Sequence, residues 1–177
     1  ELRNLLYTAL EYKDGPFAIR YPKASSEEFD KNLQGELLPI GSWEVLQNGN
    51  DVAILAVGPL TYLALEAAEE LKKLDISCEV VNCRFIKPMD ENYLEFMLEK
   101  FSSVLTIEEG VRSGGFGDGV LSWLSSHNYK GNSSIISLPD KFVEHGPRDL
   151  LLEKWGINKE QIIKTVTSFK SSLKTEF

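Results

Sequence analysis

Two adjacent carboxylates, Glu108 and Glu109, follow an apolar run at residues 103–107 and precede a loop with four glycines in the six positions 114–119. A strand end that meets a helix N-terminus brings backbone amides close to whatever binds there, so a phosphate cradle is the first chemistry to test. The segment does not fit one. Gly115-Phe116-Gly117-Asp118-Gly119-Val120 lacks the third glycine of a dinucleotide fingerprint, and Val120-Leu121 stands where a nucleotide-triphosphate loop needs Lys followed by Ser or Thr. Asp118 would repel an anion at the helix start. The glycines are therefore read as positions of close backbone packing. As neighbours on an extended segment, Glu108 and Glu109 point apart and cannot act as an acid–base dyad. One is expected to cap amides of the glycine loop, and the other to face solvent or a partner.

The other candidates are sparser. His145 lies in Glu144-His145-Gly146-Pro147, a loop with no nucleophile in reach, and reads as a hydrogen-bonded turn residue. Arg20 and Lys23 end a short alternating run and could form an anion-binding edge, since both residue types suit phosphate. Cys78 and Cys83 are an odd number of positions apart on or beside one strand, which sends them to opposite faces and opposes a bridge. Reduced thiols point to a cytoplasmic setting, and no spacing joins them to His127 or His145 as metal ligands. No catalytic, cofactor or metal residue is assigned.

The elements that must position these residues alternate. Apolar positions Leu2, Leu5, Leu6, Ala9 and Leu10 predict a helix, closed by Asp14-Gly15-Pro16, with a short strand at 17–21. A helix and a strand cannot bury their apolar faces alone, so residues 1–23 are expected to be the tail of another domain, in a chain that starts at Glu1 and looks like a piece of something longer. Residues 24–38 read as a linker. From residue 39 the pattern predicts strands at 42–47, 51–57, 78–83, 103–107 and 134–138, with helices at 61–74, 91–101, 117–126 and 159–173 and a short one after Pro147. Asp90 and Asn158 are the expected caps. Asn48-Gly49 predicts a hairpin that pairs the first two strands. The fold class is α/β, a mostly parallel five-stranded sheet with one antiparallel edge strand and helices on both faces, occupying residues 39–177.

The 177 residues carry 27 acidic and 19 basic side chains, a net charge of −8, which disfavours nucleic acid and anionic membrane as partners. No apolar run approaches membrane-spanning length.

Four motifs resemble a known family. Gly15-Pro16-Phe17-Ala18-Ile19-Arg20-Tyr21-Pro22-Lys23, Arg84-Phe85-Ile86-Lys87-Pro88-Met89-Asp90 and Leu138-Pro139-Asp140-Lys141-Phe142-Val143-Glu144-His145-Gly146 are similar to segments of the 1-deoxy-D-xylulose-5-phosphate synthases. Thr106-Ile107-Glu108-Glu109-Gly110 with Gly114-Gly115-Phe116-Gly117 is shared more widely by C-terminal domains of transketolase-like enzymes. The resemblance spans nearly the whole chain in order. It implies a homodimeric enzyme that condenses pyruvate with glyceraldehyde 3-phosphate using thiamine diphosphate and Mg2+, with both cofactors and the activating glutamate in N-terminal and middle domains that this sequence lacks. The segment would then be structural, dimerising and inactive by itself. The family's Arg-Tyr-Pro-Arg pattern implies a substrate-phosphate contact at its last position. Here that position is Lys23, which keeps the charge but loses the bidentate fork. A split transketolase and a 2-oxo acid dehydrogenase beta subunit are the neighbouring alternatives, though those families generally lack the Arg20-to-Lys23 pattern. A non-catalytic interaction module is the third.

Overall fold

The computed structural model describes residues 1–22, 32 and 34–172. Its elements are α1 (Leu2–Glu11), β1 (Glu44–Gln47), β2 (Val52–Ala56), α2 (Leu60–Lys72), β3 (Cys78–Asn82), α3 (Glu91–Lys100), β4 (Ser103–Val111), α4 (Phe116–Ser126), β5 (Asn132–Leu138), α5 (Arg148–Lys154) and α6 (Lys159–Ser172). The five strands form one sheet in the order β1-β3-β2-β4-β5, with β1 antiparallel and the others parallel.

The three inner strands are buried on both faces, as a parallel sheet between two helix layers requires. Val52, Ile54, Val80, Leu105 and Ile107 pack with Ala64, Leu71, Ile162 and Val166 of α2 and α6. Ala53, Leu55, Val81 and Val104 face Leu94, Met97, Val120 and Leu124 of α3 and α4. Each fully buried Leu or Ile stabilises the fold by about 1.5–3 kcal/mol. The expected caps form. Asp90 Oδ1 accepts from the Tyr93 amide at 3.0 Å and its Oδ2 from the Trp43 amide at 2.8 Å, while Asn158 Oδ1 accepts from the Gln161 amide at 2.9 Å.

The expected hairpin is not there. β1 pairs with β3 and lies across it from β2, so residues 48–51 cross over the start of β3 instead of turning back. Gly49 makes the crossing possible, because a Cβ at that position would stand 2.1 Å from the Cys78 carbonyl carbon. Ser77 then holds the chain on the far side: its carbonyl accepts from Asn50 and Asp51 at 3.1 and 2.8 Å, and its amide donates to Asp51 Oδ2 at 2.6 Å. Asn-Gly is a local turn signal, and here the pairing is decided by a non-local ladder.

Residues 17–21 also form no ladder, since a strand requires a neighbour to exchange hydrogen bonds with. Phe17 instead packs edge-on against Phe85, with ring centroids 6.3 Å apart. Residues 34–38 lie alongside α1, where the Glu36 amide donates to Asn4 Oδ1 and the Leu38 amide to Thr8 Oγ1. β4 extends to Val111 and α2 stops at Lys72, where Asp75 takes a left-handed φ of 54°. Lys23 and most of the expected linker lie outside the described residues.

Candidate functional site

In an open α/β sheet, ligands collect outside the carboxyl ends of the strands where the winding reverses. Here β2 continues through α2 to one side and β4 through α4 to the other, so the reversal lies between β2 and β4. The two strand ends are joined by the Val57 amide, which donates to the Ile107 carbonyl at 3.0 Å. Glu108 and Glu109 follow immediately.

Glu108 is the capping carboxylate. It is 4% exposed and accepts from the Phe116 amide at 2.9 Å with Oε2 and from the Gly117 amide at 2.7 Å with Oε1. A Cβ at Gly115 would sit 2.7 Å from Glu108 Oε1 and 2.2 Å from the Val111 carbonyl, so the glycine is what admits the carboxylate. A Cβ at Gly117 would be 2.5 Å from Thr106 Oγ1, which lets α4 pack tightly on the sheet. Asp118 Oδ2 accepts from the Gly114 amide at 2.9 Å. The donors that would cradle a phosphate are thus engaged by two side chains of the chain itself.

Glu109 points the other way, to a partner within the chain. Arg148 Nε donates to both Glu109 oxygens at 3.1 Å, and its Nη2 bonds Oε1 as well. The Glu109 hydrogen bond raises the Arg148 pKa further above its ordinary value. This pair, which sequence reasoning left open, ties the start of α5 to the end of β4. A depression of about 310 Å³ beside it is lined by Tyr62, Leu63, Arg148 and Leu152. The larger one, about 700 Å³, opens at the opposite end of the sheet near Lys100, Tyr129 and Lys170, away from both carboxylates.

The remaining candidates are not brought together. His145 and Arg20 are exposed, on the loop before α5 and in the stretch after α1 respectively. Cys78 and Cys83 are free, buried and on opposite faces, as the strand period implies. Burial pushes the Cys78 thiol up to about 12 and Cys83 well above its ordinary range, so neither is a ready nucleophile. Among the described residues, no group of three or more His, Cys, Asp or Glu is arranged to hold a metal ion, and no helix is long and apolar enough to cross a membrane.

One charged cluster escaped the sequence reading. Glu79, 1% exposed in the middle of β3, accepts from Tyr93 Oη at 2.8 Å and from Lys100 Nζ at 2.6 Å. A carboxylate beside Cys78, Val80 and Val81 in a buried strand was the available signal, since burying it requires partners.

Residues 41–162 match the family described as Transketolase, C-terminal domain. A protein of Geobacillus sp. (strain WCH70) named 1-deoxy-D-xylulose-5-phosphate synthase is 44% identical over 169 residues, which is 94% of this chain and 26% of that protein. One of Bacillus cereus (strain AH187) with the same name is 42% identical over the same share of each. The chain spans about a quarter of the length of these curated relatives. Among solved structures, a split gene transketolase described as an inactive beta4 tetramer superposes with a TM-score of 0.70 at 32% identity, covering 81% of this chain and 46% of that one.

Proposed function

The chain belongs to the transketolase C-terminal domain family, and on that premise we propose that it is the C-terminal part of a 1-deoxy-D-xylulose-5-phosphate synthase. The carrying observation is 44% identity, extending over 94% of the chain, to a relative of that name. The whole enzyme would condense pyruvate with glyceraldehyde 3-phosphate in the cytoplasm. Residues 1–23 would close the middle domain, 24–38 would link, and 39–177 would form the C-terminal domain.

The family's cofactors are thiamine diphosphate and Mg2+, and the residues described here do not fit them. The α4 amides that could bind a diphosphate are held by Glu108, and no acidic cluster among the described residues suits the metal. We take the cofactor to be held by domains outside this chain, and the role proposed for this part is support and dimerisation. Lys23 is the exception. It would place a cation on the phosphate of the aldehyde substrate, as a point charge without the planar fork of an arginine.

The test is an assay of the full-length gene product for carbon dioxide release from pyruvate, dependent on glyceraldehyde 3-phosphate. Activity in the full-length protein, and neither activity nor calorimetric thiamine diphosphate binding in residues 1–177, supports the reading. Two-carbon transfer between sugars with no use of pyruvate would instead support a split transketolase, the second reading, which the 32% identity to a split-gene enzyme favours. Lys23→Ala should raise KM for the aldehyde with Lys23→Arg sparing it; an unchanged KM removes Lys23 from the site.

A further inference from the structure

Asn48-Gly49 makes no hairpin, and it is the only Asn-Gly pair in the chain. Asparagine is among the thermally labile side chains, because the next backbone nitrogen can attack its amide carbon. The attack is favoured when the following residue has no side chain to shield that nitrogen and when its N–H holds no hydrogen bond. Both conditions are met at Asn48. The side chain is exposed, and among the described residues no hydrogen bond engages the Gly49 amide. Two other exposed asparagines differ on the second point. The amide after Asn92 donates to Asp90 Oδ1 at 3.0 Å, and the amide after Asn128 donates to the Leu124 carbonyl at 3.0 Å. Asp118-Gly119, open to the analogous isomerisation, is locked in the same way, its Gly119 amide donating to the Gly115 carbonyl at 3.1 Å. β1 is moreover a short edge strand with Glu44, Val45 and Leu46 exposed, so it opens at lower cost than the strands inside the sheet.

We infer that Asn48 is a site of spontaneous deamidation whose isoaspartyl product detaches β1 from β3. The inference is independent of the synthase reading. The Gly49 nitrogen bonds to Asn48 Cγ, the bond from Cγ to the side-chain nitrogen breaks, and the proton leaving the Gly49 amide departs with ammonia. Water then opens the five-membered imide. Attack at Cγ gives aspartate, and attack at the main-chain carbonyl gives isoaspartate, whose backbone is one carbon longer. No electrons are exchanged with any other group. The fold treats the two products differently. On one side Gln47 is paired with Val80 and its Nε2 donates to the Cys78 carbonyl at 3.2 Å. On the other, Asn50 and Asp51 are clasped to Ser77. Gly49 lies between these anchors with a β-carbon's space already filled by the Cys78 carbonyl carbon, so an added main-chain atom has no room. Aspartate changes only the charge of an exposed side chain and leaves the crossing intact.

The test uses the full-length gene product, aged in warm, mildly alkaline buffer. Peptide mass spectrometry should find deamidation at Asn48 at least about tenfold faster than at Asn92 and Asn128, whose following amides must open before they react. The aged protein should also accept methyl groups from S-adenosylmethionine through a protein isoaspartyl methyltransferase, and the Asn48→Gln variant, aged alike, should lose most of that labelling. Equal deamidation at the three asparagines overturns the inference, as does methylation undiminished in Asn48→Gln. The isoaspartyl form, separated by ion exchange, should show hydrogen exchange at residues 44–47 at least about tenfold faster than the unaged protein, while freshly prepared Asn48→Asp keeps the original protection. Unchanged exchange in the isoaspartyl form rejects the detachment of β1, and equal acceleration in Asn48→Asp assigns the effect to charge instead of backbone length.

Discussion

The Glu108 carboxylate stands 2.7 Å from the amide nitrogen of Gly117, nine residues on, and a second bond reaches Phe116. The end of β4 is thereby joined to the start of α4 by a side chain placed where a bound anion would otherwise sit. The helix N-terminus favours negative charge at that point, and the fold supplies the charge internally. A glycine-rich strand-to-helix turn can thus be closed by its own sequence, and the same geometry that resembles a phosphate loop becomes a structural staple.

Removing that staple should be costly. Glu108→Ala leaves two buried amide donors without acceptors, a loss of about 2–3 kcal/mol. Glu108→Gln keeps one oxygen acceptor and turns an NH2 toward the other amide, so its loss should be comparable. Urea denaturation measures both, and wild-type stability in Glu108→Ala would remove the capping role.

Gly49→Ala tests the crossing of β1 over β3. The added methyl carbon would lie 2.1 Å from the Cys78 backbone, a neighbour that cannot rotate away. The cost should be about 3 kcal/mol. It should also be local: hydrogen exchange ought to accelerate in β1 more than in β4. Unchanged protection at Val45 and Leu46 would mean that the chain does not cross there.

These sites differ in how far they could be read in advance. The glycine loop, the Asp90 and Asn158 caps and the alternation of strands with helices are local patterns, and local patterns survive folding where burial agrees with them. Asn48-Gly49 is equally local but misleads, because strand order is set by which edge of β3 remains open, information spread over thirty residues. Glu79 is legible only in part: its burial follows from the apolar run around it, but nothing in the sequence connects it to Lys100, 21 positions on. Arg148, 39 positions from Glu109, is hidden for the same reason.

The Glu79–Lys100 pair should behave as a buried ion pair open at one end. Lys100→Met alone strands a buried carboxylate and should cost about 2–3 kcal/mol, less than a fully enclosed pair because the Lys100 side chain is 25% exposed. Adding Glu79→Leu should recover most of the loss, with Tyr93→Phe removing the last polar partner. A double-mutant cycle by chemical denaturation checks this, and additive losses would show that the two charges do not interact.

Alkaline pH should destabilise the fold through its two thiols. Burial, with Asp51 nearby, pushes Cys78 up to about 12, and burial beside Asp90 raises Cys83 well above its ordinary range. In the unfolded chain both titrate near about pH 8.5. Above that pH the unfolded state releases protons that the folded state retains, so stability falls as pH rises and is fully present only below it. Each thiol should cost roughly 2 kcal/mol by pH 10. Tyr93, raised first by burial and then by its bond to Glu79, adds to the loss above the ordinary tyrosine range. Urea unfolding at fixed pH values from 7 to about 10.5 measures the slope. Cys78→Ala with Cys83→Ala should lower stability at pH 7, because both side chains fill the core, yet flatten the decline between about pH 8.5 and 10. An undiminished slope in that double variant would assign the alkaline loss to other groups.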